Sequence, residues 1–346
     1  LVDTQFSPAG AAPVPAPRAA LTLGDTLAWP ARYLPRKEAL VVSDAQGRRA
    51  WTYAELDAEV NRHAHGLQQL GIGQGDVVAA FLYNTPAFVF TLLATARLGA
   101  IFNPINYRLA AQELAFILQD GSAKALVFED EGAAVVEKAR LLVPQVQHWI
   151  HADPGAAPAF ATAQLAALAD GQPATPVDVR VDEDAPCILM YTSGTTGRPK
   201  GVLHTHRSKL AHNAMMHQVM QFRREDVGLS VAPLNHTAEL HTSFLPRLQV
   251  GATQVLQRRF DAADALRLVE AEKSHLLLCR ADHGHHAAER REPGAARSVV
   301  AAPGGVRRGL DGAAPDPRMD APGGIGPGAG LRHHRNGAVH VGAVSA

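Results

Sequence analysis

The chain is 346 residues long, 47% hydrophobic and formally neutral, with 33 Lys+Arg against 33 Asp+Glu. That length holds two domains or one large α/β domain, and the apolar content suffices for a buried core. Zero net charge gives no electrostatic case for nucleic acid or an acidic membrane surface, and no apolar run is long enough to span a bilayer. Two cysteines, Cys187 and Cys279, provide no disulfide framework and fit a reducing cytoplasm.

Residues 1–20 are Ala/Pro-rich and read as a mobile lead-in, lacking the charged and apolar regions of a signal peptide. From Thr52 onward, helical and strand patterns alternate. Thr52 and Glu55 have the spacing of a capping box; Leu56, Val60, Leu67 and Leu70 continue one helical apolar face, and Gly71 stops it. Val77 to Leu82 predicts a strand, Pro86 to Leu98 a helix, Glu113 to Leu118 a helix, and Ala125 to Phe128 and Val146 to Ile150 further strands. Strands separated by helices imply βαβ units in a largely parallel sheet. Residues 152–181 are rich in Ala and Pro and predict a connector, with one helix near Thr162 to Leu168. A second run follows: strand 186–191, helix 206–221, strand 228–232, helix 238–249, strand 253–257, a helix over 262–272 capped by Asp261, and strand 275–278. Two α/β subdomains are therefore expected, about 21–151 and 182–278.

Between the strand at 186–191 and the helix at 206 lies Tyr191-Thr192-Ser193-Gly194-Thr195-Thr196-Gly197-Arg198-Pro199-Lys200-Gly201-Val202. Hydroxyls of Thr192, Ser193, Thr195 and Thr196 can donate to phosphate oxygens. Gly194 and Gly197 let the backbone come close, and Lys200 adds a point charge. Lys200 precedes Gly201, so this is not the common nucleotide loop, in which Ser or Thr follows Gly-Lys. On composition alone a flexible Gly/Thr linker is the alternative. His236 stands before a helix, where a histidine is ordinarily a capping or structural residue. Glu239 and His241 read as surface polar residues, and Leu240, Phe244 and Leu245 as core. His204/His206 and Asp282-His283-Gly284-His285-His286 have metal-binding residue types, but nearness in sequence does not make ligands converge, and no metal ligand is assigned.

Thr192 to Gly201 is similar to the phosphate-binding signature of the adenylate-forming enzymes, the AMP-dependent synthetases and ligases. These include acyl-CoA synthetases, luciferases and peptide-synthetase adenylation domains. Trp51-Thr52-Tyr53-Ala54-Glu55-Leu56, Gly75-Asp76-Val77-Val78-Ala79, Gly99-Ala100 and Asn103-Pro104-Ile105-Asn106 fall in the order seen in acyl-CoA synthetases, and Pro233-Leu234-Asn235-His236 resembles their substrate-side motif. The resemblance covers about residues 21–278. It implies an α/β fold of stacked, largely parallel sheets flanked by helices, part of a large N-terminal domain whose small C-terminal partner is absent. It also implies phosphate binding by Thr192, Ser193, Gly194, Thr195, Thr196, Gly197 and Lys200, and places His236 in the acyl pocket beside the adenylate. ATP, Mg²⁺ and CoA would serve the activation of a carboxylic acid, of fatty-acid type, to acyl-AMP and then to the thioester. An aryl or short-chain acid, a carrier-protein acceptor and a non-catalytic remnant with weak ligand binding stay open.

After Leu278 the composition changes. Arg280 to Ala346 contains no Lys, Phe, Tyr or Trp and is dominated by Ala, Gly, Arg and Pro, so 279–346 is expected to be disordered and outside the family. The tail can be re-read one nucleotide into the Cys279 codon. Cys279 to Ala288 then permits Ala-Val-Pro-Thr-Met-Val-Thr-Met-Leu-Leu, and Gly330 to Asn336 permits Gly-Tyr-Gly-Thr-Thr-Glu-Thr. The first resembles the apolar run, and the second the Tyr-Gly-x-Thr-Glu signature, that follow in acyl-CoA synthetases. A frame change near codons 274–279 is therefore expected, with the Mg²⁺-holding glutamate and the ribose-binding aspartate of the family not encoded as written. Genomic DNA across those codons should continue the family reading in the shifted frame; one intact frame reproducing the present tail overturns the expectation.

Overall fold

The computed structural model describes residues 21–44, 47–192, 198–274 and 276–277. The expected lead-in 1–20 and the tail 279–346 lie outside them. A 3₁₀ turn (Leu23–Leu27) and α1 (Ala28–Tyr33) precede an antiparallel pair, β1 (Glu38–Asp44) and β2 (Gly47–Thr52). Next come α2 (Tyr53–Gln69), β3 (Val77–Phe81), α3 (Pro86–Arg97), β4 (Ile101–Pro104), α4 (Ala111–Asp120), β5 (Ala123–Phe128), α5 (Asp130–Arg140) and β6 (His148–His151). β7 (Ala163–Gln164) and α6 (Leu165–Ala169) lead to β8 (Pro186–Thr192), β9 (Lys200–Thr205), α7 (His206–Met220) and β10 (Val227–Ser230). A helical stretch follows: α8 (Thr237–Glu239), a π-helical turn (Leu240–Phe244) and α9 (Leu245–Gln249). β11 (Thr253–Leu256), α10 (Ala262–Ala271) and β12 (Leu276–Leu277) complete the described elements.

Local signals act as expected. Thr52 Oγ1 accepts the Glu55 amide at 3.3 Å while Glu55 Oε2 accepts the Thr52 amide at 2.8 Å, so both halves of the capping box form. Asp261 Oδ1 accepts the Asp264 amide at 2.8 Å and starts α10.

The strands form two sheets, ordered β7-β6-β5-β3-β4-β8-β9 and β12-β10-β11-β1-β2. Neighbours are parallel except β8–β9 and β1–β2. Period-two burial divides the core. Val78 and Ala80 of β3 and Ala125 and Val127 of β5 face a central layer containing α2, α3 and the 237–249 helical stretch. Val77, Ala79, Leu126 and Phe128 face the opposite way, onto α4 and α5. In the second sheet Leu40 and Val42 join the central layer, while Val41, Leu229 and Val255 pack on α10. Helices thus cover both faces of each sheet, as stacked, largely parallel sheets require.

The expected division into 21–151 and 182–278 does not follow the sheets. β1 and β2 pair with β11 in the five-stranded sheet, and β8 and β9 pair with β4 in the seven-stranded one. Each sheet draws strands from both stretches: β1 is buried from Ala39 to Val42, so its backbone groups must be paired within the protein, by β2 on one edge and β11 on the other. The 152–181 connector likewise contributes to the sheet: β7 pairs parallel with β6.

The first described residues are pinned by a buried imidazole. The Leu23 amide donates to His206 Nδ1 at 3.0 Å, and burial pulls the ring's pKa down to about 4. The folded state therefore binds fewer protons than the unfolded chain between pH 6.5 and 4, so this contribution to stability is complete above pH 6.5 and is lost as pH falls. Urea titrations from pH 6.5 to 5 should show a loss of roughly 1.5 kcal/mol that His206→Asn, which keeps an acceptor for Leu23, does not show. Parallel pH profiles for the two proteins overturn this assignment.

Candidate functional site

β8 and β9 pair in register from Leu189↔Leu203 through Tyr191↔Gly201 to Thr192↔Lys200. The glycine-rich stretch therefore closes a β-hairpin and does not feed directly into a helix at His206. β9 escaped the sequence reading because its residues from Lys200 to Leu203 are exposed and show no buried face. Ser193, Gly194, Thr195, Thr196 and Gly197 lie outside the described residues. Thr192 and Lys200 flank them, both exposed, with Thr192 Oγ1 3.5 Å from the Lys200 carbonyl.

Tyr191 braces the stem. Its hydroxyl donates to Asp120 Oδ2 at 2.6 Å, and burial, then Asp120, raise its pKa so that it stays a neutral donor. Its ring crosses Gly201, where a Cβ would sit 3.3 Å from the ring and 3.0 Å from Leu189. Glycine there lets the ring lie flat across the hairpin.

β3, β4 and β8 are parallel, so the Thr192–Lys200 end of the hairpin stem and the residues after β3 lie at one sheet edge. Ligands of open α/β sheets bind outside such carboxyl ends. Asn84 occupies this edge. Its amide donates to the carbonyls of Ala232 (2.9 Å) and Gln257 (3.2 Å), and its oxygen accepts the Leu234 amide at 2.8 Å. Its own backbone N–H donates to the Arg258 carbonyl at 3.2 Å. One buried side chain thus joins the end of β3 to the ends of β10 and β11 and holds the Pro233-Leu234-Asn235-His236 turn. That turn reaches the hairpin strand, since Thr237 Oγ1 lies 3.6 Å from Met190 Sδ.

His236 is exposed, and its Nδ1 accepts the Ala238 amide at 3.2 Å. It caps the helical stretch, which in a neutral ring leaves the proton on Nε2. Leu240, Phe244 and Leu245 are core, as expected. Glu239 and His241 are not surface residues: both are buried, because the helical stretch lies between the two sheets. Glu239 Oε1 is 3.2 Å from Arg247 Nη2, which also donates to Ser230 Oγ at 3.0 Å. Burial raises the Glu239 pKa and lowers that of Arg247, and the attraction between them opposes both shifts. Gly228 makes the pair possible, since a Cβ there would stand 1.9 Å from Arg247 Nη1.

His204 and His206 do not converge: His204 faces His241, while His206 holds Leu23. Among the described residues one group could hold a metal ion, Asp130, His151 and Asp153, and no sequence pattern pointed to it. It lies at the far strands β5 and β6, where His151 Nε2 meets Asp130 Oδ1 at 2.7 Å and Asp153 Oδ2 accepts the Asp130 amide at 2.6 Å. No carboxylate set among the described residues fits Mg²⁺ at the hairpin. An open groove of about 1010 Å³, lined by Gly24, Arg97, Arg180 and others, shares no residue with the hairpin or the 233–236 turn. No described helix is long and apolar enough to cross a membrane.

A family model described as AMP-binding enzyme matches residues 27–319, and so runs past residue 278, where the motif resemblance ends. The chain belongs to the AMP-binding enzyme family. It is 36% identical over 254 residues to a feruloyl-CoA synthase of an Amycolatopsis species, covering 72% of this chain and 47% of that protein. It is 36% identical over 242 residues to the long-chain-fatty-acid–CoA ligase FadD13 of Mycobacterium tuberculosis, covering 69% and 46%. The chain thus spans about half the length of these curated relatives. The inhibitor-bound N-terminal domain of FACL13 from Mycobacterium tuberculosis superposes with a TM-score of 0.68 at 33% identity, covering 74% of this chain and 62% of that one.

Asn84→Ala should leave two carbonyls and the Leu234 amide unpaired and release the 233–236 turn. Hydrogen exchange of the Leu234 amide is expected to quicken by at least tenfold, while that of Leu126, in the middle of β5, stays unchanged. Unaltered exchange at Leu234 would remove Asn84 from this role.

Proposed function

We propose that this chain is the nucleotide- and acid-binding part of an AMP-forming acid–CoA ligase. The observation that carries the reading is the junction of the Thr192–Lys200 hairpin with the 233–236 turn at one sheet edge, through Met190–Thr237 and Asn84. ATP, the substrate, would place its phosphates at the hairpin tip. Thr192, Ser193, Thr195 and Thr196 donate hydrogen bonds there, Gly194 and Gly197 admit the backbone, and Lys200 supplies charge. The acid would lie beside His236, whose Nε2–H is the donor on the side away from the helix it caps. Attack of the acid carboxylate on the α-phosphate gives acyl-AMP and pyrophosphate, and CoA then gives the thioester. Mg²⁺ and CoA come with the family, and no described residue is assigned to either.

Fatty acids are the favoured acid class, supported by the relative named as a long-chain-fatty-acid–CoA ligase; the feruloyl relative supports an aryl acid as the second reading. The cytoplasm suits the buried, unpaired Cys187 thiol. The Tyr-Gly-x-Thr-Glu signature is not encoded after Leu278 as the sequence is written, so the 346-residue chain binds nucleotide but turns over negligibly. Calorimetry should register ATP binding that Lys200→Ala weakens about tenfold or more. Acyl-dependent ATP–pyrophosphate exchange should be at background. ATP affinity indifferent to Lys200 would sink the site, and robust exchange would sink the claim of inactivity.

A further inference from the structure

Beneath the hairpin lies a cluster of basic side chains that phosphate binding does not use. Thr237 and His241 are four residues apart and lie on one face of the helical stretch. Thr237 meets Met190, and the His241 ring stands edge-on to His204 with centroids 5.0 Å apart. Met190 and His204 share one face of the hairpin, since Met190 pairs with Val202 and His204 with Ile188. The helix therefore runs along the hairpin stem, touching it at two successive rungs. α7 closes the far side with His212, its ring 6.4 Å from that of His241, and with Lys209, only 3% exposed.

The cluster holds three imidazoles and an ammonium, and none of the four joins an ion pair with a carboxylate among the described residues. His241 is 1% exposed and its Nε2 has no hydrogen-bond partner; His212 Nδ1 has none either. Leaving such groups buried and unpaired is costly, so a built interior supplies their partner. Burial, reinforced by Lys209, His204 and His212, pulls the His241 pKa down to about 2, and burial lowers Lys209 to about 8. The remaining acidic neighbour of Lys209, the Cys187 thiol, is pushed up by burial to about 12 and stays neutral. Donors and positive potential are present, and no described residue supplies a partner for His241 Nε2 or His212 Nδ1.

We propose that Lys209, His212 and His241, with His204, receive the far end of the acid, and that this end carries an oxygen acceptor, which narrows the fatty-acid reading to chains with a second, terminal carboxylate and the aryl reading to acids with a phenolic oxygen. The inference rests on the placement of the reacting carboxylate at His236 in the ligase reading. From His236 to His241 the helical rise is roughly 7.5 Å. That is about the reach of a six-carbon dicarboxylic acid or a para-hydroxylated aromatic acid. A plain alkyl tail would enter the same place with nothing to offer these donors.

The full chain, without ATP, is titrated calorimetrically with adipate against hexanoate and with 4-hydroxybenzoate against benzoate. At least one acceptor-bearing acid should bind tenfold or more tightly than its plain partner, and the pair that shows the preference tells carboxylate from phenol. Lys209→Met and His241→Phe should each abolish the preference while retaining the weak binding of the plain acid and a thermal midpoint near that of the parent. Equal affinities within both pairs, no binding of any acid, or a preference kept by both variants overturns the proposal. ATP affinity is measured separately: a chain that prefers adipate yet ignores ATP defeats the ligase reading and leaves the cluster standing.

Discussion

The arrangement depends on one buried amide. The two sheets approach at their carboxyl edges, and the backbone groups there cannot all be satisfied within their own ladders. Asn84 offers two donors and an acceptor at that seam, and all are used, by Ala232, Gln257 and Leu234. No apolar residue of similar size could replace it without orphaning three backbone groups in a dry place. A second brace lies alongside. Arg258, next after Gln257, stacks 4.5 Å over Tyr83 and pairs with Glu131 at 2.8 Å, while the Tyr83 amide donates to buried Glu129. Because these ties fix one sheet edge to the other, a hairpin from the first sheet and a turn from the second can meet at Met190 and Thr237.

The 237–249 helical stretch carries that meeting into the interior. Its apolar residues Leu240, Phe244, Leu245 and Leu248 fill the central layer. Its polar residues point two ways, Glu239 and Arg247 toward β10 and His241 toward the hairpin. A regular helix would keep one spacing throughout; the π-helical turn at Leu240–Phe244 breaks it, and such turns often mark functional sites. The Glu239–Arg247 pair is poor evidence of added stability, since removing two charges from water offsets most of their attraction. Its consequence is positional: with Arg247 lodged over Gly228, the stretch has one seat on the five-stranded sheet.

What could be read from the sequence was local. The Thr52–Glu55 box, the Asp261 cap and the period-two burial of β3 and β5 each depend on residues within a few positions of one another, and each forms. What could not be read was which strand pairs with which. β1 and β11 are about two hundred residues apart, and the Asn84 contacts span a similar interval, so nothing in the local pattern of Ala39 to Val42 names its neighbour. The stretch Thr192 to Lys200 stood out by its residue types and its resemblance, but the hairpin stem that carries it was not legible, since exposed Gly201 to Leu203 resemble loop. His241 was misjudged for the same reason: polarity marked it as surface, and burial between two sheets is a tertiary fact.

The site therefore has two ends of unlike origin. The outer end, Thr192 to Lys200, would on the proposed reading serve the phosphates of any nucleoside triphosphate, and the resemblance of motifs follows it closely. The inner end is made of side chains from β9, α7 and the π-helical turn, none of which is needed for phosphate binding. Between them Thr237 and Met190 form a neutral waist. Positive charge at both ends, with a neutral middle, suits a ligand that is anionic at its phosphates and again at its far tip. A purely apolar acid would leave Lys209 desolvated with no return. On that proposal the residues that would select the acid lie on β9, α7 and the π-helical turn, apart from Thr192, Lys200 and Asn84, where substitutions can change the substrate without disturbing the glycine-rich stretch or the Asn84 seam.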